Sequence, residues 1–165
     1  MPWTPLFEDD RAGFFAKEGL FIAVWHDAPR IEQMRQLGEC GRTWESAHGP
    51  AALMNIAADG VPKFAEEVRR MAAEYTRDPS LFQVARAHVV LMSGFAGVAV
   101  RAFINTFLLL GSPPRPTRMA SSVDTAAQFL APHMPAGWDA AAIESTAREA
   151  MQAYEAGSVP AGAHG

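Results

Sequence analysis

The stretch VVLMSGFAGVAVRAFINTFLLL, Val89 to Leu110, carries one charge, Arg101, in twenty-two residues. Three structures compete for it. A membrane span needs about 20 apolar residues, and the run is long enough. Against that, Ser93-Gly94 and Gly97 interrupt it, Arg101 falls near its centre, and no Lys/Arg cluster flanks it to orient insertion. An Arg at the middle of a spanning helix costs roughly 2.5–3.5 kcal/mol on insertion scales. A phosphate loop would use a Gly-rich turn and the N–H groups of a helix start, but SGFAG has neither the Lys-Ser/Thr nor the G-x-G-x-x-G of such loops. The third reading, a buried strand, a glycine turn and an apolar helix over 95–110, meets neither objection. It predicts a helix packed on a sheet and covered on its outer side by the C-terminal helix or a second subunit. Arg101 then needs a carboxylate or carbonyl partner, with an ion pair at the helix edge expected first. The two glycines are expected to be packing residues.

The elements around this stretch alternate. GFFAKEGLFIAVW predicts a hairpin turning at Gly19. Asp27 and Pro29 suit a helix start, and Ile31, Met34, Leu37, Gly41 and Trp44 follow at helical spacing up to His48-Gly49-Pro50. AALMNIAA, 51–58, predicts a buried strand. Val61, Phe64, Val68, Met71, Ala72 and Tyr75 form the apolar stripe of a helix placed after Asp59. LFQVARAHVVLM predicts a further strand, and Thr117–Ser121 a short one. Ser121 or Ser122 then caps a helix carrying Val123, Ala126, Ala127 and Leu130 inward. A last helix shows Ile143, Ala147, Met151 and Tyr154, and the tail 158–165 is expected to be disordered. Strands alternating with helices predict an α/β layer fold whose parallel crossovers are right-handed.

A chain of 165 residues predicts one domain, over 1–134, with an added C-terminal helix at 135–157 that packs on the domain or on a partner. A net charge of −4 and no basic cluster beyond Arg115 and Arg118 argue against nucleic-acid binding. One cysteine, Cys40, excludes an internal disulfide and fits a reducing compartment. With no signal-peptide pattern at the N-terminus and no transmembrane segment assigned, the expected location is cytoplasmic.

No catalytic motif stands out. His26 and Asp27 are adjacent, so on a strand they point to opposite faces and do not form one dyad. His26, His48, His88, His133 and His164 show no i, i+4 pair, and no cluster has metal-ligand spacing. A G-x-S-x-G elbow is absent. No catalytic residue, metal site or cofactor is assigned, and a non-catalytic role is expected.

Over residues 13–132 the element order, with FIAVWHDAP, VVLMSGFAGVAVRAF and TRMASSVDTAAQFL, resembles the STAS domain (sulfate transporter and anti-sigma factor antagonist), in its divergent bacterial forms. The resemblance implies a mixed sheet of about four or five strands backed by helices, and a regulatory protein-interaction module. It also places a phosphorylated Ser or Thr where this chain reads AADGVPKF, with Asp59 and Gly60 and no hydroxyl. Partner binding through Asp59, Gly60, Lys63 and Phe64 is the first expectation, with a homodimer as one form of partner. The alternative is binding of a small anion or lipid-like molecule at the helix start, through Ser93, Gly94, Phe95 and Arg101.

Overall fold

The computed structural model describes residues 3–164, with side chains described as far as Glu155. The expected disordered tail at 158–165 therefore falls on side chains outside the described residues. Six strands form one mixed sheet in sequential order: β1 (Thr4–Glu8), β2 (Ala12–Lys17), β3 (Leu20–Trp25), β4 (Ala52–Ala57), β5 (Arg86–Val90) and β6 (Thr117–Ala120). The first three strands pair antiparallel, and β3 to β6 pair parallel. The α/β architecture agrees with the sequence reading. The additional strand is β1, an edge strand whose Pro5 needs no ladder donor and whose register shifts between Pro5 and Phe7.

The hairpin turns at Glu18-Gly19 as expected, but Glu18 takes the positive φ, at 50°. The indole Nε1–H of Trp44 donates to the Glu18 carbonyl at 2.7 Å and ties this turn to the first helix.

Helices α1 (Ile31–His48), α2 (Glu66–Arg77) and α3 (Gly94–Gly111) each join neighbouring parallel strands. Crossovers of one hand, all stepping the same way across the sheet, place their helices on one face. The core bears this out. Phe14, Phe21, Trp25 and Leu53 pack with Met34, Leu37 and Trp44 of α1, Val68 and Ala72 of α2, and Val100, Ile104 and Phe107 of α3. The opposite face buries Ile22, Val24, Met54, Ile56 and Val89 against α4 (Val123–Leu130) and α5 (Ala140–His164). Ser122 caps α4, accepting from the Thr125 N–H at 3.1 Å. The C-terminal helix lies on the α4 side, with Ile143, Ala147 and Tyr154 buried there.

That placement corrects one expectation. The C-terminal helix cannot cover α3, because the sheet stands between them. The outer side of α3 is exposed at Phe95 (96%), Val98 (64%), Leu109 (82%) and Leu110 (68%). Among the described residues α3 is long and apolar enough to cross a membrane by length and composition. In this fold it is a crossover helix held to the sheet through Gly97, Val100, Ile104 and Phe107.

Candidate ligand cavity

Strand pleating divides β4 and β5 between two environments. Met54, Ile56, Ala87 and Val89 face α4 and α5 and are wholly apolar. Leu53, Asn55 and Ala57 on β4, with Arg86 and His88 on β5, alternate to the side of α1–α3. Register places Asn55 opposite His88 and Leu53 opposite Arg86. The polar side chains enclosed in the central sheet therefore all lie on one face.

Asn55 is held from both ends. Its Oδ1 accepts from the Trp25 Nε1–H at 2.7 Å, and its Nδ2 lies 3.1 Å from Nδ1 of His88. Burial, with the Arg86 charge adding, pushes the imidazole pKa of His88 down to about 4. At neutral pH the ring is therefore uncharged, and Phe107 packs against it in a T-shaped contact at 5.4 Å.

Arg86 is buried without a carboxylate on its guanidinium. Nη1 donates to the carbonyls of Tyr75 (2.8 Å) and Thr76 (2.7 Å), and Nη2 to those of Asp78 (2.7 Å) and Leu81. Two of these belong to the last turn of α2, whose carbonyls lack intrahelical donors and carry the negative end of the helix dipole. Burial lowers the Arg86 pKa, while Asp78 and Glu45 oppose that shift. Glu45, also buried, accepts from the backbone N–H of Ala51 (2.9 Å), Phe82 (2.6 Å) and Gln83 (3.0 Å). Together these two residues fix the segment between α2 and β5 that backs the site.

Between this face and the helices lies a cavity of about 100 Å³. Its walls are mainly apolar: Met34 and Leu37 from α1, Ala72 from α2, and Val100, Phe103 and Ile104 from α3. Trp25, Asn55 and His88 line its floor, and Arg86 with Thr76 lines one end. Asp27, Asp59 and Gly60 form its rim at the carboxyl ends of the strands, where ligands of open α/β sheets commonly bind. Phe64 closes over it by stacking on Phe103, with ring centroids 3.8 Å apart and planes 5° from parallel.

Asp27 organises the rim. Its carboxylate accepts from the N–H of Ala28 (2.8 Å) and Val61 (3.1 Å) and pairs with Arg11 at 3.2 Å. The two N–H bonds, with Arg11 and Arg30 helping against burial, hold its carboxyl below the usual range. Asp27 does not cap α1. Arg30 is the N-cap there, and its N–H donates to Gln33 at 2.9 Å. His26 points the opposite way and stacks on Tyr154 at 5.0 Å, so no His26–Asp27 dyad forms.

The expected site residues separate into two places. Asp59, Gly60 and Phe64 line the cavity, and Lys63 is exposed on the same loop. This loop is not a helix start: α2 begins at Glu66 after the N-cap Ala65. Among the described residues Asp59 accepts only from the next N–H, that of Gly60, at 2.8 Å. The chain delays the helix because Val61 is drawn to Asp27 and Gly60 sits at φ 130°, where an added Cβ would come within 2.5 Å of the Asp27 Cα.

Ser93, Gly94 and Phe95 stand exposed at the start of α3, outside the cavity, and the Ser93 side chain makes no capping bond. Arg101 reaches back from the next turn to donate to the Met92 carbonyl at 3.3 Å, so its partner is a carbonyl and not the expected carboxylate. The glycines differ in role. An added Cβ at Gly97 would meet the Met92 oxygen at 2.3 Å, whereas Gly94 has open space and is needed for its φ of 65°.

Trp25, Asn55, Arg86 and His88 were not singled out from the sequence. The available signal was a few polar residues in two otherwise apolar strands, Asn55 in AALMNIAA and Arg86 with His88 in RAHVV. Among the described residues no group of three or more His, Cys, Asp or Glu could hold a metal ion. No family model, curated protein or solved structure matches this chain.

Proposed function

We propose that this chain is a non-catalytic, cytoplasmic binding module that takes up a small, mostly apolar molecule between the sheet and helices α1–α3. The observation that carries this is the Trp25–Asn55–His88 row facing an apolar cavity of about 100 Å³. Few placed polar groups in an apolar wall are the usual make-up of a small-molecule site. The volume is about two thirds of the roughly 150 Å³ engineered apolar cavity that admits benzene, and the cavity is open at its rim. A ring or a short chain is the size of ligand that suits it. The regulatory role in this proposal is the one that the sequence resemblance to STAS domains implies. On this reading the occupant sets the position of the 59–64 loop, whose Asp59 and Lys63 are the groups offered to a protein partner.

The test is thermal and NMR titration with small ring compounds. Saturable binding that raises the melting temperature, and is lost when Ala57→Phe fills the cavity, is the expected result. Absence of any saturable shift with the wild-type protein contradicts the proposal.

One observation favours a second reading, a protein interface on α3. Phe95, Val98, Leu109 and Leu110 expose apolar surface on a helix face without charge. A homodimer through this face predicts a mass in sedimentation equilibrium that Leu109→Lys returns to that of one chain. A monomeric wild-type protein removes it.

A further inference from the structure

The hydrogen-bond chain on the cavity floor sets the position of its protons. An indole N–H only donates, so Oδ1 of Asn55 must be the atom facing Trp25. The other end of that amide is then the Nδ2 donor, and Nδ1 of His88 must accept from it. A neutral imidazole that accepts at Nδ1 carries its proton on Nε2. The ring is only 6% exposed, yet Nε2 has no acceptor among the described residues. The only fully enclosed side-chain nitrogen without a partner there is Nε of Arg86. Nε2 of His88 therefore opens onto space, and the space the ring lines is the cavity.

The geometry points to His88 Nε2–H as a fixed donor for a single uncharged acceptor oxygen, so that the ligand is a small apolar molecule carrying one carbonyl group. This rests on the binding function proposed above and specifies its ligand class. A ligand that fills the cavity takes this donor out of contact with water, and an acceptor oxygen on the ligand replaces the bond so lost. A purely apolar ligand leaves the donor covered and unpaired. A carboxylate gains the same bond, but it must leave water for a wall of Val100, Phe103 and Ile104. Arg86 offers it no open N–H: both Nη atoms are donated to four carbonyls, and Nε, though without a partner, is fully enclosed. The neutral acceptor is left as the best match.

Three probes of nearly one shape separate the possibilities: acetophenone, α-methylstyrene (CH₂ in place of the carbonyl oxygen) and benzoate. Dissociation constants are measured by NMR titration of the wild-type protein. Long-range ¹H–¹⁵N correlation of the His88 ring reports the tautomer without any substitution. The expected result is an Nε2–H tautomer, acetophenone bound about tenfold more tightly than α-methylstyrene, and benzoate weakest. In His88→Leu the order of the first two probes should reverse, because the carbonyl then leaves water with no donor to receive it. Equal binding of both to the wild type, tighter binding of benzoate, or an Nδ1–H tautomer each overturns the carbonyl inference while leaving the cavity a binding site. Failure of all three probes to bind overturns the binding function as well.

Discussion

Acidification should destabilise this fold through His88. In the folded chain the imidazole is buried and its pKa sits at about 4, against roughly 6.5 for an unperturbed histidine. Between those values the unfolded chain binds a proton that the folded chain does not. Stability from this group is therefore fully present above about pH 6.5 and is lost progressively as pH falls toward 4. Moving from pH 7 to pH 4.5 should remove roughly 2–3 kcal/mol through this one group. Burial is the main cause, with the Arg86 charge adding; a proton on Nδ1 would also face the Asn55 Nδ2 donor 3.1 Å away, and Trp25 prevents the amide from turning round. The assay is urea unfolding across that pH range for the wild type and His88→Leu, with ¹⁵N NMR titration of the His88 ring. The variant should be less stable at pH 7 but show a shallower loss on acidification. A His88 that titrates near 6.5 in the folded protein, or parallel pH profiles for the two proteins, refutes the argument.

Three further substitutions probe the frame around the cavity. Glu45→Ala strands the N–H groups of Ala51, Phe82 and Gln83 and should cost about 3–5 kcal/mol in urea unfolding; an effect below about 1 kcal/mol contradicts that role. Gly97→Ala drives a methyl onto the Met92 carbonyl and should cost about 1–3 kcal/mol, whereas a fully tolerated alanine means α3 sits farther from β5. Ser122→Ala removes the α4 cap and should lower stability by about 1 kcal/mol, read as a modest fall in the urea midpoint, with acetophenone binding unchanged because α4 lies on the other face of the sheet.

The fold was legible where periodicity and punctuation agreed. Met34, Leu37 and Trp44 on α1, and Ile143, Ala147 and Tyr154 on α5, all face inward as their spacing required. Ser122 caps the helix it was expected to begin. What misled was local chemistry with a long-range use. Asp27 resembles a helix cap, but it holds Val61 and so delays α2 past Asp59 to Glu66. β1 was obscured by Pro5, which only an edge strand accommodates. The outer face of α3 was expected to be covered, and one face of the sheet cannot be told from the other by hydrophobic pattern alone. The cavity floor was the least legible part. Asn55 and His88 lie 33 positions apart, and only strand register makes them opposite neighbours. The sheet's asymmetry, apolar on the α4–α5 side and polar in the middle of the α1–α3 side, is therefore a three-dimensional property.

The central claim is that this polar row serves an occupant of the cavity. The most direct measurement is a titration of isotope-labelled wild-type protein with acetophenone, following backbone, methyl and His88 ring resonances together. Saturable shifts that include Nε2 of His88 and gather at Ala57, Val100 and Ile104, with Ile143 and Ala147 behind the sheet unmoved, are the predicted result. No saturable shift, or shifts centred on the α4–α5 face, would contradict it.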